Sequence, residues 1–225
     1  MAKKFIVRSS EEVFSKFPEL EAQVREKLFR FAEILGGENS KINLVSRKDE
    51  EDIAYRHVAF CLSITKFLKP NRGAKIVDVG SGGGLPGLVM AAAWPDCEIF
   101  MLDGVGKKME AVKRMAKILG LENAVAKKGR IEEIKETFDY ATGRSVCALP
   151  KFFGFVKKAL RPGKSGNLEN GVIYFKGGDL EEELAKKNIL PDFEMSLKEF
   201  FADENYEGKR LVHFSRAKIL KFAGI

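Results

Sequence analysis

The feature that most constrains this chain is a glycine-rich turn that follows a short apolar run. Residues 76 to 87 read Ile-Val-Asp-Val-Gly-Ser-Gly-Gly-Gly-Leu-Pro-Gly, with four glycines in the five positions 80 to 84. Glycine suits such a turn because it adopts positive φ and because a ligand can approach a backbone that carries no side chain. A tight turn alone needs fewer glycines, so the pattern predicts a ligand-binding loop between a strand and a helix.

The spacing of these glycines narrows the class of ligand. Gly80, Gly82 and Gly84 read G-x-G-x-G, whereas the dinucleotide motif G-x-G-x-x-G requires glycine where this chain has Leu85. No Lys-Ser or Lys-Thr pair follows Gly87, as a nucleotide-binding P-loop requires. NAD and ATP are therefore disfavoured, and an NAD-dependent oxidoreductase stays open only as an alternative.

An acidic residue ends the next predicted strand. Asp103 closes the sequence Phe-Met-Leu-Asp and lies 23 residues after Gly80. A carboxylate at the carboxyl end of the neighbouring strand can accept hydrogen bonds from both hydroxyls of a ribose. The alternative role for Asp103 is a helix N-cap before Lys107. We interpret the glycine loop and Asp103 together as a nucleoside-binding half.

Short apolar runs alternate with helical stretches after residue 70, which is typical of a parallel sheet with crossover helices. Before that point the chain has a helical pattern, and turn residues at 70–73 mark the boundary. We therefore predict a helical extension over residues 1–70 and an α/β domain over residues 71–225. The predicted strands cover residues 75–79, 98–103, 124–128, 138–143, 172–176 and 210–214, with an antiparallel partner at about 194–201.

Two helical stretches are predicted in the first 70 residues. The first covers residues 10–36, where apolar residues recur at spacings of three and four. Pro18 is expected to divide it into two segments, and Gly36-Gly37 to end it. The second covers about 49–68 and ends before Pro70.

Composition excludes several classes of protein. The three cysteines, at 61, 97 and 147, lack the close spacing of a zinc site and the density of a disulfide scaffold, so we predict reduced, buried thiols and no metal site. The longest wholly apolar run, residues 88–94, has seven residues, against roughly 20 for a membrane span. The first eight residues lack the apolar core of a secretory signal, which favours a cytoplasmic protein, with an organellar protein that has lost a transit peptide as the alternative.

Positive charge is concentrated in two segments. The chain has 39 Lys and Arg against 32 Asp and Glu, a net charge of +7. Residues 104–130 contain eight Lys or Arg and two Glu, and residues 207–225 contain five basic residues and one acidic residue. Such clusters suit a phosphate-rich partner, but the solvated face of an amphipathic helix explains the first cluster equally well.

Several blocks of sequence in a fixed order resemble one protein family. They include Asn-Leu-Val-Ser at 43–46, Arg-His at 56–57, the glycine run with its Gly-Leu-Pro-Gly ending, Gly-Arg at 143–144, Phe-Lys-Gly at 175–177 and Arg-Leu-Val at 210–212. In these blocks the chain resembles the class I S-adenosylmethionine-dependent methyltransferases, and among them the RsmG family, also called glucose-inhibited division protein B. The resemblance extends from about residue 43 to the C terminus.

This resemblance implies a fold and an activity. The expected fold is α/β and Rossmann-like, with a mostly parallel seven-stranded sheet, helices on both faces and an N-terminal helical extension. The expected reaction transfers a methyl group from S-adenosyl-L-methionine to N7 of a guanine in 16S ribosomal RNA. The expected partner is 16S-type ribosomal RNA or the small ribosomal subunit, and the expected enzyme is a monomer without membrane contact.

The resemblance also implies roles for individual residues. Arg144, at the end of the fourth strand, is the expected catalytic residue and also lies beside the cofactor. The other residues expected to bind the cofactor are Gly80, Gly82, Gly84, Leu85, Asp103, Ile131 and Glu132. The residues expected to bind the substrate are Asn43, Arg56, His57, Lys176 and Arg210.

Two departures from the family pattern concern the substrate rather than the cofactor loop. The family has Arg-His-x-x-Asp-Ser, whereas Phe60 occupies the acidic position here, and Arg144 lies between Gly143 and Ser145 instead of Ser and Ala. No general base is evident, and none is needed, because guanine N7 offers a lone pair without a proton. A methyltransferase acting on a small molecule or protein, and a non-enzymatic nucleoside- or RNA-binding module, stay open as alternatives.

Overall fold

A single seven-stranded sheet organises the computed structural model, which describes residues 8–46, 52–178, 180 and 190–222. The strands lie in the order β3-β2-β1-β4-β5-β7-β6; the first five are parallel, and β7 is antiparallel to β5 and β6. This confirms the predicted mostly parallel α/β sheet. In chain order the strands are β1 (Lys75–Val79), β2 (Glu98–Asp103), β3 (Ala124–Lys128), β4 (Tyr140–Arg144), β5 (Gly171–Lys176), β6 (Phe193–Ser196) and β7 (Arg210–Ser215).

Helices precede the sheet and connect its strands. In chain order they are α1 (Ser10–Val13), α2 (Ala22–Asn39), α3 (Phe60–Leu62), α4 (Ile64–Phe67), α5 (Gly87–Ala93), α6 (Gly106–Ile118), α7 (Leu149–Val156), α8 (Leu197–Phe201) and α9 (Arg216–Phe222). A π-helix, Ala54–Ala59, leads into α3, and short 3₁₀ turns cover Ile131–Glu133 and Glu204–Tyr206. None of the helices in these described ranges is long and apolar enough to span a bilayer.

The two faces of the sheet pack against different helices, as predicted. Successive strand residues point to opposite faces: Ile76 joins the core formed with α2, α5 and α6, and Val77 joins the core formed with α7 and α9. Because α2 and the sheet share one core, the extension packs directly on the strands. The division into units at 1–70 and 71–225 stays a prediction.

Two predicted elements end three or more residues away from the expected position. The strand expected over 194–201 ends at Ser196, whose hydroxyl accepts a hydrogen bond from the N–H of Glu199 and so begins α8. The first helical stretch does divide near Pro18, but its second segment continues through Gly36-Gly37 to Asn39. Burial of Leu35 and Asn39 on one face keeps this last turn helical despite the low helix propensity of glycine. The start of the second predicted stretch, at residues 49–51, lies outside the described residues.

Candidate active site

A cavity of about 420 Å³ opens at the carboxyl ends of β1, β4 and β5. Ligands of open α/β sheets bind at this edge, where successive crossover connections diverge. The cavity is lined by Leu44, Val45, Ser46, Arg56, His57, Phe60, Gly80, Ser81, Gly82, Gly83, Leu85, Arg144, Ser145, Phe175, Lys176, Gly177, Asn205, Tyr206 and Lys209. The glycine loop and four of the predicted polar site residues therefore line the same cavity.

A second pocket of about 240 Å³ also reaches Gly80 and extends along the ends of β2 and β3. Asp103, Ile131 and Glu132 line it, so the structure brings these three predicted cofactor residues together. Gly80 has a φ of +73°, and a Cβ added to it would lie 2.9 Å from Cγ2 of Val146, another lining residue. A side chain at position 80 would thus strain the backbone and displace a wall of the pocket.

Asp103 ties the glycine loop to β2. Its Oδ2 accepts a hydrogen bond from the N–H of Gly82 at 3.0 Å, and its Oδ1 accepts one from the N–H of Val105 at 2.8 Å. Val105 is the N-cap residue of α6, and no described side chain caps this helix, so Asp103 holds the turn before α6 and is not its N-cap. Each carboxylate oxygen has a second lone pair that can accept another hydrogen bond.

Asp78, which is not among the predicted site residues, supports the glycine loop from the sheet. Its Oδ2 accepts a hydrogen bond from the N–H of Gly87, the first residue of α5, at 2.9 Å. Burial raises the pKa of Asp78 to about 7. Within the described part of the chain its Oδ1 has no hydrogen-bond partner, and neither has the hydroxyl of Thr142, its register neighbour on β4. The sequence feature that could have identified Asp78 as a site residue is its position as an acidic residue inside an apolar strand.

The glycines of the loop have different roles. Gly82, with a φ of +53°, lines the larger cavity together with Leu85. Gly84 lines neither pocket, and a Cβ on it would lie 2.7 Å from Cδ1 of Leu88. Its position therefore allows close packing of the loop on α5, and a cofactor contact by Gly84 stays a prediction.

Arg144 lies at the end of β4, between the glycine loop and β5. Its Nη1 is 3.0 Å from Nδ1 of His57 and 3.7 Å from Sγ of Cys61. A guanidinium only donates hydrogen bonds, so Nδ1 of His57 accepts and the imidazole proton resides on Nε2. The guanidinium carbon lies 5.8 Å from the centre of the Phe60 ring. The next residue, Ser145, has a φ of +57°, which is uncommon for a residue with a side chain.

The charge state of His57 follows from its surroundings. Burial, followed by the positive charges of Arg144, Lys209 and Arg56, lowers its pKa to about 3. His57 is therefore neutral at pH 7, and it contributes an acceptor to Arg144 instead of another positive charge.

The cavity wall near β5 and β7 is cationic. Among the described residues that line the cavity, four are positively charged, Arg56, Arg144, Lys176 and Lys209, and none is Asp or Glu. Nζ of Lys209 lies 5.1 Å from the centre of the Tyr206 ring and 5.6 Å from that of Phe60. Lys209 is not a predicted site residue, because only the antiparallel pairing of β7 with β5 brings it to this edge.

Two predicted substrate residues do not line the cavity. Asn43 is exposed, although the two residues after it line the wall and donate their backbone N–H groups to Oδ1 of Asn39, at 2.7 and 2.8 Å. Arg210 extends toward Glu194, and the two side chains approach to 3.6 Å. Substrate contacts by Asn43 and Arg210 stay predictions.

The cysteines and acidic residues show no metal-binding arrangement. Among the described residues, no group of three or more His, Cys, Asp or Glu could hold a metal ion. All three cysteines are free; Cys61 and Cys97 are buried, and Cys147 is half-buried. Burial raises the pKa of Cys61 to about 12 and that of Cys97 to about 11, which keeps both as thiols.

Comparison with known proteins covers most of the chain. The family model of GidB, described as rRNA small subunit methyltransferase G, matches residues 24–211. The ribosomal RNA small subunit methyltransferase G of Flavobacterium psychrophilum is 35% identical over 203 residues, which cover 90% of this chain and 96% of that protein. The protein of the same name from Bacteroides fragilis is 34% identical over 197 residues, covering 88% and 95%.

Solved structures with a similar arrangement are more distant in sequence. A methyltransferase from Aquifex aeolicus, described as dependent on SAM, has 13% identity and a TM-score of 0.48, and the match covers 67% of this chain and 86% of that one. The fibrillarin pre-rRNA processing protein of Methanococcus jannaschii has 15% identity and a TM-score of 0.49, with 67% and 71% covered. The family match, which spans most of the chain, shows that the chain belongs to the S-adenosylmethionine-dependent methyltransferases of the GidB family, rRNA small subunit methyltransferase G.

Proposed function

We propose that this chain transfers a methyl group from S-adenosylmethionine to N7 of a guanine in 16S-type ribosomal RNA. The observation that carries the proposal is the division of the active-site edge into two unlike halves that meet at Gly80. Glycines and the Asp103 carboxylate line the β1–β3 half, whereas the described residues that line the cavity toward β5 and β7 include cationic side chains and no carboxylate. The first half suits an adenosine, and the second suits a polyanion.

The β1–β3 half fits the cofactor that the family uses. Asp103 offers two acceptor oxygens for ribose hydroxyls, and the absence of a side chain at Gly80 leaves room where the two pockets meet. We propose that Ile131 and Glu132 flank the adenine, because both line the pocket beyond Asp103. When bound, the cofactor supplies a methyl group made electrophilic by the positive charge on sulfur.

The reaction requires alignment rather than removal of a proton. Guanine N7 carries an available lone pair and can attack the methyl group directly. His57, with a pKa of about 3, is a weak base and a poor candidate for general base catalysis. We assign Arg144 to orient the guanine or its backbone, while His57 holds the guanidinium through Nδ1. The rate enhancement then comes from alignment and from a preorganised electrostatic environment.

The substrate guanine must be unstacked or single-stranded. The major groove of an A-form helix is deep and narrow, so side chains cannot reach an N7 within it. We therefore propose structured RNA with an accessible guanine as the substrate. That the enzyme is a monomer and acts in the cytoplasm is a separate part of the proposal.

Transfer of a labelled methyl group tests the reaction and the substrate together. The acceptors are deproteinised 16S-type ribosomal RNA and small subunits that lack the modification, and the labelled nucleoside is identified after digestion. Recovery of 7-methylguanosine is the expected result. Label in another nucleoside would refute methylation at N7 of guanine. Cofactor binding without labelled RNA would favour a small molecule or a protein as the substrate.

Substitution of Arg144 tests its assigned role. Arg144→Ala should lower kcat with RNA roughly 100-fold, the usual effect of removing a preorganised charged donor. Arg144→Lys should recover only part of the rate, because it restores the charge but not the planar fork. Arg72→Ala removes an exposed guanidinium at the opposite edge of the sheet and serves as the matched control. A wild-type rate for Arg144→Ala would remove the assignment.

A further inference from the structure

The structure separates the eight basic residues of segment 104–130 into two groups. Lys113 forms an ion pair with Glu110 at 2.8 Å, and Arg114 forms one with a glutamate of α2 at 2.6 Å. Lys117 lies in the last turn of α6, where the helix dipole favours a cation. These three belong to the solvated face of a helix. The other five, here called the rim cluster, are Lys107, Lys108, Lys127, Lys128 and Arg130.

The rim cluster is a surface of the folded chain rather than one face of a helix. The first turn of α6 contributes two of its members, the end of β3 two, and the loop after β3 one. A Cβ added to Gly106, the first residue of α6, would lie 3.3 Å from Cδ of Lys128, so this lysine extends along the start of the helix. No member forms an ion pair within the described part of the chain. Solvent reaches all five, since four are exposed and Lys108 is half-buried.

Folding alone does not explain where these charges lie. Two lysines occupy the first turn of α6, which contains no acidic residue. The positive end of the helix dipole disfavours cations there, and Lys128 brings a third like charge to the same place. The arrangement therefore destabilises the free protein slightly, and an anion that binds from outside relieves the repulsion.

The rim cluster lies at the same edge of the sheet as the active site. Lys128 pairs in register with Asp103 at the ends of β3 and β2, and Arg130 lines the pocket that also contains Asp103. β3 lies three strands away from β4, which ends at Arg144. At about 4.8 Å between strands, this is a separation of roughly 14 Å. The cluster therefore flanks the pocket around Asp103 on the side away from Arg144, at a distance that a few nucleotides of an RNA chain span.

We propose that the rim cluster binds backbone phosphates of the RNA substrate, so that the RNA lies across the mouth of the pocket around Asp103 while its guanine reaches Arg144. The proposal rests on the proposed function and adds a second contact surface to it. Contacts of this kind fix the orientation of a nucleic acid without reading its sequence. An acidic protein surface is the competing partner, but the regular spacing of phosphates along a chain that enters this edge of the sheet fits the cluster better.

A salt titration of RNA binding tests the proposal with three double variants. Lys107→Gln with Lys128→Gln removes two charges of the rim cluster, and the same pair changed to Arg retains them. Lys113→Gln with Lys117→Gln removes two exposed charges from later turns of α6 and is the matched control. The first variant should make the slope of log affinity against log salt less steep by about 1.4–1.8, because each phosphate contact accounts for about 0.7–0.9. The other two should keep the wild-type slope.

Two further measurements on the first variant separate binding from folding. Its thermal stability should not fall, because the substitutions relieve repulsion at the start of α6. Its affinity for S-adenosylmethionine should equal that of the wild type, because neither lysine lines the cavity or the pocket around Asp103.

The outcomes distinguish this proposal from the proposed function. A steep wild-type slope that the first variant leaves unchanged overturns the rim cluster as an RNA surface, keeps RNA as the substrate and makes an acidic protein the partner that fits the cluster. An equal change of slope in the matched control overturns the location, because it reflects net charge alone. A flat wild-type slope overturns both the rim cluster and the proposed function. If the first variant loses affinity for S-adenosylmethionine but keeps the RNA slope, the two lysines serve the cofactor and the proposal fails.

Discussion

The two halves of the active-site edge are built from different kinds of contact. In the β1–β3 half, backbone N–H groups of the glycine loop are held by the carboxylates of Asp78 and Asp103. In the half near β5 and β7, long cationic side chains lie beside aromatic rings, as Arg144 does with Phe60. The first half depends on backbone shape and leaves no room for a side chain at Gly80. The second depends on charge, so the loss of a single cation should reduce its binding without abolishing it.

The largest expected effect follows from adding one methyl group to the backbone-shaped half. Gly80→Ala forces a residue with a side chain into a φ of +73° and brings its Cβ to 2.9 Å from Val146. Strain of this kind costs on the order of 1–3 kcal/mol, and the free protein relieves it by shifting the loop and the Val146 wall of the cofactor pocket. Because binding must restore the original shape, affinity for S-adenosylmethionine should fall by up to roughly 100-fold. Equilibrium dialysis or calorimetry with the cofactor measures the change.

Gly73→Ala is the matched control for this substitution. Gly73 has a φ of +76° but nothing within 4 Å of an added Cβ, and it precedes β1 at the opposite edge. It should lose about 1 kcal/mol of stability from backbone strain alone and bind the cofactor normally. Equal cofactor affinities in the two variants would mean that the shape of the loop at Gly80 does not limit binding.

The contrast between the halves also explains how much the sequence can predict. The bounds of β1, β2 and β3 agree with the predictions, because each is a short apolar or alternating run between turn residues. The glycine loop and Asp103 belong to consecutive elements of the same sheet, so their proximity follows from parallel order alone. The sequence could also have identified Asp78 as a site residue, because a buried strand rarely contains an unpaired carboxylate.

Local sequence patterns could not predict which residues come together in the charged half. Arg144 and His57 are 87 residues apart, and their contact depends on how the π-helix packs over the sheet. Lys209 reaches the cavity only through the antiparallel β7 and the anchored turn at Tyr206. No local periodicity encodes such pairings, because they depend on tertiary packing of segments far apart in the chain.

Two buried titratable groups, one in each half, should give the stability opposite dependences on pH. Burial raises the pKa of Asp78 from 3.8 to about 7, so its stabilising contribution is complete below about pH 4 and is lost as the pH rises toward 7. Burial and nearby cations lower the pKa of His57 from 6.5 to about 3, so its contribution is complete above pH 6.5 and is lost as the pH falls.

Substitution of the two groups should therefore change the pH dependence of the free energy of unfolding in opposite directions. Between pH 4.5 and 6.5, the free energy of unfolding of Asp78→Asn should rise with pH relative to wild type, by up to about 1.4 kcal/mol per pH unit. Over the same range, the free energy of unfolding of His57→Gln should fall with rising pH relative to wild type, by a similar amount per pH unit. Urea unfolding at three pH values measures both slopes, and profiles parallel to wild type would show that neither group has the shifted pKa.

The smallest expected effect concerns the anchor of the charged half. Tyr206 and Tyr140 each donate a buried hydrogen bond of 2.8 Å to a backbone carbonyl, of Tyr55 and of Leu168 respectively. Replacing either tyrosine by phenylalanine should cost about 1 kcal/mol of stability, with more if the carbonyl stays unsatisfied. Both variants thus lose the same kind of hydrogen bond, but at different positions relative to the cavity. Tyr140 lies at the end of its strand that is farther from the cavity.

Only Tyr206→Phe should also affect RNA, because only this tyrosine anchors the turn that carries Lys209. Its KM for RNA should rise about twofold to tenfold, because the lysine must then be ordered at the time of binding and ordering a side chain costs about 0.5–1.5 kcal/mol. The affinity for S-adenosylmethionine should not change in either variant. If Tyr140→Phe raised the KM for RNA as much, the effect would come from general loosening of the fold, and the charged half would not depend on its local anchor.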